Sequence, residues 1–128
     1  MFVRNVARLS GTSRHVDWGN GDSVRLLTQD DGMGYSVCYT TVRARTEALL
    51  EYRDHLEACY CIEGSGQVED SNGMIFEIRP GDLYVLDKHD RHYLRGGADE
   101  DLVLISIFNP PLRGDEVHHL NGNNVSSY

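Results

Sequence analysis

The sequence predicts an all-β protein, either a sandwich or a barrel, in a single domain. Short segments rich in β-branched and aromatic residues recur along the chain, and turn-forming Gly, Asn, Asp and Pro residues separate them about every 8 to 12 positions. No long segment repeats with the 3.6-residue period of an amphipathic helix. A chain of 128 residues can bury one hydrophobic core, whereas two domains of half that length would each be marginally stable.

Turn-forming residues mark where the predicted strands begin and end. An Asn-Gly pair closes a hairpin at 70–73, and a Pro-Gly pair makes a turn at 79–82, because Pro fixes φ and Gly accepts a positive φ. Further turns and loops are expected at 19–22, 30–34, 87–91 and 96–101. The strands are expected at 23–27, at 35–42, within 46–55, and at 58–62, 67–69, 74–78, 83–86, 92–95 and 102–108.

The two ends of the chain are expected to differ from its middle. We predict that residues 1–112 form the barrel and that residues 113–128 form a C-terminal tail that covers the barrel mouth. This tail is polar and rich in Asn, so we expect it to fray near its end. At the other end of the chain, residues 2–5 could form a strand that crosses to a partner subunit.

The composition disfavours several classes of partner. The chain has 20 acidic and 12 basic residues and a net charge of −8, whereas a nucleic-acid partner needs a clustered positive surface. No apolar run approaches the roughly 20 residues that span a bilayer. Arg4 and Arg8 are not followed by an apolar stretch, so no signal peptide is predicted. We therefore expect a cytoplasmic protein that binds a small molecule and contacts neither nucleic acid nor membrane.

The three cysteines, Cys38, Cys59 and Cys61, are predicted to be free thiols in a reducing compartment. Cys59 and Cys61 lie two positions apart, so both side chains point to the same face of a strand and cannot easily cross-link. A Cys-x-Cys metal site would need further Cys or His ligands at short spacing, and Cys38 is the only other thiol. We therefore expect all three side chains to be packed in the core.

The middle of the chain carries an ordered set of acidic, glycine and histidine residues. Glu57 is followed after six residues by Gly64, and a later Gly81-Asp82 pair is followed by His92. This order resembles the two motifs of the cupin fold, a double-stranded β-helix or jelly-roll barrel. In a cupin the two motifs face each other inside the barrel, and their ligands meet on one metal ion. The resemblance therefore narrows the all-β prediction to a single-domain cupin.

One departure from the cupin pattern changes the expected metal ligands. Cupins typically carry a His-x-His pair ahead of the Glu, and Leu50 and Tyr52 occupy those positions here. Glu57 and His92 would then need a further ligand. Tyr84 is the best candidate from its spacing, because it lies on the strand that follows the Pro-Gly turn and its phenolate oxygen would suit a ferrous or ferric ion.

Five longer blocks narrow the resemblance further. They are residues 3–5, 22–26, 52–64, 78–92 and 108–118. These blocks are similar to the ectoine synthases, a family of small bacterial cupins, and the similarity runs from residue 2 to about residue 119. Three positions depart from the family pattern: Gly21 stands in place of a Trp, Cys38 in place of an Asn or His, and Ser106 in place of a Cys.

The resemblance implies an activity and a set of site residues. Ectoine synthases are dimeric lyases that depend on ferrous iron and close N-γ-acetyl-L-2,4-diaminobutyrate into ectoine with loss of water. The implied iron ligands are Glu57, Tyr84 and His92. The implied substrate-binding residues are Arg25, Thr40 and Phe108, and the candidate catalytic residues are Glu116, His118, Tyr52 and His55.

These residue types suit the chemistry of ring closure. An amide carbonyl is a weak electrophile, and a metal Lewis acid can polarise its oxygen. The attacking α-amine must be neutral, so a base is needed, and either Glu116 or His118 could serve and later return protons to the leaving water. Arg25 could bind the substrate carboxylate through two parallel hydrogen bonds. Holding the flexible substrate folded can remove up to about 7–11 kcal/mol of the barrier.

The three departures leave other functions open. Because the implied metal set is complete while the pocket is altered, the chain could be a paralogue that cyclises or dehydrates a related acylated amino acid. It could instead be a cupin that binds a small molecule without catalysis. An iron oxygenase is a third possibility, and the missing His-x-His pair counts against it because such enzymes usually present several neutral imidazoles.

Overall fold

The described residues, 1–120 and 124–128 of a computed structural model, form eleven β-strands, one short α-helix and one 3-10 turn. The strands are β1 (His15–Asp17), β2 (Asp22–Leu27), β3 (Ser36–Val42), β4 (Glu47–Glu51), β5 (Leu56–Gly64), β6 (Gly66–Glu69), β7 (Ile75–Ile78), β8 (Leu83–Leu86), β9 (His92–Gly96), β10 (Leu102–Asn109) and β11 (Ser126–Ser127). The helix is α1 (Val6–Leu9), and the 3-10 turn covers Gln29–Asp31.

The strands form the two sheets of a barrel. One sheet has six strands in the order β1-β2-β3-β10-β5-β8, and the other has five in the order β11-β4-β9-β6-β7. Neighbouring strands pair antiparallel except β11, which runs parallel to β4. From β3 onward the chain changes sheet at every connection except that between β6 and β7, so side chains from distant parts of the sequence meet between the sheets. This is the jelly-roll barrel that the sequence predicts.

Alternation along β5 decides which side chains face the barrel interior. Glu57, Cys59 and Cys61 are buried, whereas Tyr60 and Ile62 are exposed on the opposite face. All three cysteines of the chain are free and buried, as predicted. The larger apolar cluster consists of Trp18, Val42, Ala48, Leu50, Cys59, Cys61, Val68, Ile78, Leu94, Leu102 and Leu104. The inward row of β5 therefore places an ionisable carboxyl beside an apolar core.

Gly64 allows a close backbone approach at the end of β5. Its φ of 77° lies in the left-handed region, and a Cβ atom there would lie 1.7 Å from the carbonyl oxygen of Asp101. The pairing between β5 and β10 also shifts register between Val103 and Leu104, as in a β-bulge. The glycine of the Glu-x(6)-Gly motif therefore serves the geometry of the strand that carries Glu57.

The nine strands expected between residues 23 and 108 are all present, with ends within two residues of those expected where bounds were given. The strand expected within 46–55 is β4, and the hairpin at 70–73 joins β6 to β7. The strand β1 was not predicted, because three residues are too few to show an alternating pattern.

The N-terminal segment forms no strand within its own chain, and a strand at residues 2–5 that crosses to a partner subunit stays a prediction. Residues 1–5 have no strand pairing, and Asn5 instead caps α1, where its side chain accepts a hydrogen bond from the second residue of the helix at 2.8 Å. Arg4 donates to the carbonyl oxygen of Leu26 at 2.7 Å and to the carboxylate of Asp31 at 2.8 and 2.9 Å. These side-chain contacts fasten the segment to its own barrel.

The fraying expected near the end of the tail stays a prediction. Ser126 and Ser127 form β11 and pair with Leu50 and Glu51 of β4, so backbone hydrogen bonds hold them. Residues 121–123 of the predicted tail lie outside the described residues. The division of the chain into a barrel at 1–112 and a covering tail at 113–128 stays a prediction.

Candidate active site

A narrow cavity lies inside the barrel. It is lined by Trp18, Ser23, Arg25, Cys38, Thr40, Leu50, Tyr52, Glu57, Tyr84, Leu94, Leu104, Ser106, Phe108, Leu112 and Tyr128. Six of the residues singled out from the sequence are among them: Arg25, Thr40, Tyr52, Glu57, Tyr84 and Phe108. The fold therefore brings residues from widely separated strands to one enclosed, mostly apolar space with a few polar groups, the usual form of a small-molecule site.

Arg25 lies on β2, is only 1% exposed, and keeps one donor group without a partner. Its Nε donates to the hydroxyl of Ser23 at 2.8 Å, and its Nη2 donates to the backbone carbonyl of Glu116 at 2.8 Å. Its Nη1 lies 3.7 Å from the Glu116 carboxylate and, within the described part of the chain, makes no hydrogen bond. A buried, unpaired guanidinium N–H is costly, so an anionic group in the cavity would satisfy it.

Glu57 is a buried carboxyl on the inward face of β5. Burial raises the pKa of Glu57 to about 7, and a hydrogen bond from the Cys59 thiol to Oε1, at 2.7 Å, opposes part of that rise. A cation bound at this carboxyl would favour its ionised form and lower that pKa again. The buried environment of Glu57 therefore disfavours an ionised carboxylate unless a cation is bound to it.

Tyr84 on β8 lines the cavity together with Glu57, whereas His92 on β9 lines a neighbouring groove together with Tyr84. Tyr84 lies opposite Cys59 in the β5–β8 ladder, and burial raises the pKa of its phenol well above the ordinary value. His92 is 2% exposed, and its Nδ1 lies 2.9 Å from the carbonyl oxygen of Asp90. Because that oxygen can only accept, Nδ1 carries the proton and Nε2 is the basic nitrogen. Burial lowers the pKa of His92, which keeps the ring neutral.

These three side chains fit a ferrous ion by the chemistry of their donor atoms. Tyr84 is shared, since it lines the cavity together with Glu57 and lines a neighbouring groove together with His92. Carboxylate, phenol and imidazole are groups that iron accepts, and a ligand His usually donates its other N–H to a carbonyl, as His92 does to Asp90. Within residues 1–120 and 124–128 no three His, Cys, Asp or Glu side chains cluster for a metal, so the phenol would have to complete the set.

Glu116 is held as a carboxylate by the turn that precedes it. Its Oε2 accepts a hydrogen bond from the backbone N–H of Arg113, and its Oε1 accepts one from Gly114, both at 2.8 Å. Burial alone would raise the pKa of Glu116, but these hydrogen bonds and the charge of Arg25 lower it overall. A carboxylate with a lowered pKa is a weak base, so the structure suits Glu116 to orienting Arg25 more than to taking a proton.

His118 lies behind the cavity wall and reaches the cavity through Tyr52. Its Nε2 is 3.0 Å from the Tyr52 hydroxyl, and its Nδ1 is 2.8 Å from the hydroxyl of Ser126. Burial lowers the pKa of His118 to about 3, so the imidazole is neutral at pH 7. A proton can therefore pass between His118 and the cavity by way of the Tyr52 hydroxyl, which lines it.

A line of small polar groups runs along one wall of the cavity. The hydroxyl of Thr40 is 3.1 Å from that of Ser106, and the thiol of Cys59 lies 3.5 Å from the same Ser106 oxygen. Because Cys59 also donates to Glu57, the line connects Thr40 with the candidate metal ligand.

Phe108 and His55 occupy neighbouring places with different exposure. Phe108 is buried and packs edge-on against Tyr52, with ring centroids 5.1 Å apart. His55 is partly exposed and does not line the cavity; its ring packs edge-on against Phe108, and its Nδ1 lies 2.7 Å from the carbonyl oxygen of Pro110. The structure thus places His55 where it supports Phe108.

Known proteins with similar sequences point to one family. The sequence profile of the Ectoine synthase family matches residues 1–127. The chain belongs to the ectoine synthase family. The L-ectoine synthase of Vibrio parahaemolyticus is 43% identical over 122 residues, which are 95% of this chain and 95% of that relative. The L-ectoine synthase of Vibrio cholerae is 44% identical over 122 residues, covering 95% of this chain and 88% of the relative.

Solved structures agree with this family and with the fold. The crystal structure of an ectoine synthase from P. lautus is 41% identical, covers 89% of this chain and 81% of its own, and superimposes with a TM-score of 0.84. A Cupin 2 conserved barrel domain protein from Salinispora arenicola is only 16% identical, yet its TM-score is 0.66 over 84% of this chain and 87% of its own. The cupin fold predicted from the sequence is therefore confirmed. Among the described residues, no helix has the length and apolar character needed to cross a membrane.

One departure from the ectoine synthase pattern has a structural explanation. A side chain at Gly21 would place its Cβ 1.8 Å from the carbonyl oxygen of Thr41, so this backbone admits no larger residue there. Trp18 lines the cavity instead, and its Nε1 donates to that same carbonyl oxygen at 3.0 Å. An indole is thus present in the cavity wall of this ectoine synthase family member, supplied from three residues earlier in the chain.

Sequence reasoning missed two groups that join the site from the end of the chain. Tyr128 lines the cavity, and its ring centroid lies 4.2 Å from that of His118 and 5.1 Å from that of Tyr52. Ser126 contacts the far nitrogen of His118. A polar tail has no hydrophobic period, so the sequence predicts a tail over the barrel mouth without indicating which of its side chains contact the site.

Proposed function

We propose that the protein is a ferrous-iron-dependent hydro-lyase that closes N-γ-acetyl-L-2,4-diaminobutyrate into ectoine with loss of water. Membership of the ectoine synthase family supports this proposal. The observation that carries it is that the buried Arg25, with its unpartnered Nη1, lines the same cavity as Glu57 and Tyr84. A substrate with a carboxylate at one end and an amide at the other suits such a cavity.

The substrate carboxylate is expected to bind Arg25. Two of its nitrogens are already fixed by Ser23 and by the Glu116 carbonyl, so the side chain is oriented before the substrate arrives. A charge-assisted hydrogen bond to Nη1 would satisfy the remaining buried donor. The line of hydroxyls at Thr40 and Ser106 offers further polar contacts to the substrate chain.

The reaction forms one C–N bond and breaks one C–O bond. The neutral α-amine attacks the carbonyl carbon of the acetamide, and the carbonyl oxygen finally departs as water. Both protons that the water carries come from the two substrate nitrogens, so no external reductant or oxidant is required. If the substrate is held curled between Arg25 and the far end of the cavity, its amine lies close to its carbonyl carbon. This arrangement lowers the entropic part of the barrier to ring closure.

Glu57, Tyr84 and His92 would hold the iron. When bound, the metal supplies Lewis acidity that draws electron density from the amide oxygen. Glu57 is well suited to this role because its raised pKa falls when a cation is near. Asp90 keeps the basic Nε2 of His92 available by accepting from Nδ1.

Tyr52 and His118 are the groups best placed to move protons. A neutral imidazole can accept at one nitrogen while it donates at the other, and the Tyr52 hydroxyl extends this exchange to the cavity. Glu116 keeps its negative charge and balances Arg25. Of the two residues considered from the sequence, we therefore favour His118, as part of a path that delivers protons through Tyr52 and not as a base.

We further propose that the enzyme is a cytoplasmic homodimer. Its free, buried thiols fit a reducing compartment. Neighbouring strands β5, β8 and β10 also expose apolar side chains on their outer face, and such a patch is typical of a protein interface. These side chains are Leu56, Tyr60, Ile62, Leu83, Val85 and Ile107. Leu83→Lys should shift the sedimentation coefficient to that of a monomer if this face is the interface.

Turnover of the acetylated diaminobutyrate by the iron-loaded protein tests the proposed function. Ectoine should form, detected by chromatography and mass spectrometry, and Arg25→Lys should raise KM because a lysine keeps the charge but loses the planar fork. Conversion of a related acylated diamino acid, without ectoine formation, would replace the substrate and point to Cys38 and Ser106 as the cause. Binding without any turnover would favour a non-catalytic cupin, and oxygen consumption would favour an oxygenase.

A further inference from the structure

Ser126 is a buried hydroxyl at the end of the chain with two close polar neighbours. It is 5% exposed and is positioned by the parallel pairing of β11 with β4. Its Oγ lies 2.8 Å from Nδ1 of His118 and 3.0 Å from the backbone nitrogen of His119. These contacts are eight and seven residues away along the chain, so β11 brings the hydroxyl back to the imidazole.

Counting donors and acceptors assigns the direction of these hydrogen bonds. The amide of His119 can only donate, so Ser126 Oγ accepts from it. The hydroxyl proton of Ser126 then needs an acceptor, and within residues 1–120 and 124–128 that acceptor is Nδ1 of His118. A buried hydroxyl that donates nothing is unfavourable, so the arrangement favours Nδ1 as the acceptor.

The direction of this hydrogen bond determines which ring nitrogen of His118 carries the proton. If Nδ1 of neutral His118 accepts, its single proton is on Nε2, which then donates to the Tyr52 oxygen 3.0 Å away. Tyr52 accepts that hydrogen bond and keeps its own O–H for the cavity that it lines. The opposite tautomer would require Tyr52 to donate to Nε2, and the cavity would lose that donor.

We propose that Ser126 is a positioning residue that fixes His118 as the Nε2–H tautomer and thereby presents the Tyr52 hydroxyl as a hydrogen-bond donor to the reacting substrate. The proposal deepens the proposed function and rests on it for the identity of the reaction. In the ring closure, the group to which such a donor would be directed is the amide oxygen that departs as water, since that oxygen must gain protons. The tautomer itself does not depend on the substrate.

The tautomer can be measured without any turnover. In metal-free protein with ¹⁵N-labelled histidine, long-range ¹H–¹⁵N correlation spectra distinguish protonated from unprotonated ring nitrogens, and His118→Asn identifies the His118 signals. We expect a protonated Nε2 and an unprotonated Nδ1 in the unaltered protein. A protonated Nδ1 would overturn the proposal, and this result needs no variant of Ser126 to fold.

Variants at Ser126 test whether the hydroxyl is the cause. Ser126→Ala should give a mixture of tautomers or the Nδ1–H form, whereas Ser126→Thr, which keeps a hydroxyl, should retain Nε2–H. Ser127→Ala, on the exposed neighbour in the same strand, is the matched control and should leave the spectrum unchanged. An unchanged His118 tautomer in folded Ser126→Ala would contradict the proposal.

The kinetic consequence should appear in kcat more than in KM. We expect Ser126→Ala to lower kcat by about tenfold or more, with KM within about twofold, and Ser126→Thr to restore most of kcat. Equal kcat values for Ser126→Ala and the unaltered enzyme would overturn the positioning role. An inactive protein with the expected tautomer would instead count against the proposed reaction and leave the tautomer assignment standing, so the two failures are distinguishable.

Discussion

The cavity has two walls that are built in different ways. One wall, here named the sheet wall, carries Glu57 and Tyr84 on β5 and β8, together with His92 of β9 in the neighbouring groove, and strand pairing fixes each of these residues. The other, named the tail wall, consists of Tyr128, which lines the cavity, and of Glu116, His118 and Ser126 behind it. Among these described residues, backbone hydrogen bonds occur at β11 and from the N–H of His118 to the carbonyl of Trp18, at 3.0 Å. The tail wall is also held by side-chain hydrogen bonds and by ring contacts between Tyr128, His118 and Tyr52.

The two walls therefore have different functions. The sheet wall presents ionisable groups in rigid positions, which a metal site requires because its ligands must be held in place before the ion binds. The tail wall reaches the same cavity with few of its own backbone bonds, so it can be altered while the barrel stays folded. Loss of a side chain from the sheet wall should therefore abolish enzymatic activity, whereas loss of a side chain from the tail wall should only reduce it.

The largest expected effect is the loss of Glu57. Glu57→Ala should abolish iron binding and lower kcat/KM by about a thousandfold or more, because the Lewis acid is lost. Iron content by elemental analysis and ectoine formation check both parts. Glu63→Ala, on an exposed residue of the same strand, is the matched control and should keep both. Full iron content in folded Glu57→Ala would remove Glu57 from the metal set.

The second prediction concerns the pH dependence of stability in the metal-free protein. The pKa of Glu57 rises from an ordinary 4.5 to about 7 on folding, so the folded state binds the extra proton and loses stability as pH rises from 4.5 through 7. The loss is on the order of 3 kcal/mol in the free energy of unfolding. Because other groups also titrate, the unaltered protein should be compared with Glu57→Gln by urea denaturation at several pH values. Parallel pH profiles for the two proteins would contradict the raised pKa.

Removing the aromatic end of the tail should have a smaller effect. Tyr128→Ala opens the stack over His118 and Tyr52 and should lower kcat/KM by about 10- to 100-fold, since small losses of positioning are costly for catalysis. The barrel should stay folded by circular dichroism. Tyr128→Phe keeps the ring and should retain most of the activity. Equal activity of the Ala and Phe variants would show that the ring does not shape the site.

The smallest expected effect is a difference in amide exchange, which can be measured in the unaltered protein. Backbone amides of Ser126 and Ser127 should exchange with deuterium faster than those in the middle of β5 and β10, because β11 is a two-residue strand at the edge of its sheet. Hydrogen-exchange mass spectrometry or NMR can compare the two regions in one sample. Equal protection would mean that the tail wall is as firmly held as the sheet wall.

The same contrast explains how much could be predicted from the sequence. The sheet wall was predictable because the order of Glu57, Gly64, Gly81-Asp82 and His92 resembles the cupin motifs, and the turn residues show where the strands that carry Tyr84 and His92 begin. Arg25 was indicated only by resemblance to the family, since a charged residue in a strand usually faces solvent.

The remaining parts of the structure depend on individual side-chain contacts that leave no periodic pattern in the sequence. The helix α1 arises from a single cap at Asn5, and Arg4 fastens the N-terminal segment through one carboxylate and one carbonyl. Trp18 lines the cavity because Gly21 allows the close approach of a carbonyl, which only the three-dimensional structure reveals. The tail wall likewise depends on side chains that meet after the chain has folded back.

The most direct test of the central account is a crystal structure of the iron-loaded protein with the acetylated diaminobutyrate bound, including anomalous diffraction at the iron edge. We expect one anomalous peak within coordination distance of Glu57, Tyr84 and His92, and the substrate carboxylate on Nη1 of Arg25. An iron peak that two of these three side chains do not reach, or a substrate carboxylate bound away from Arg25, would contradict it.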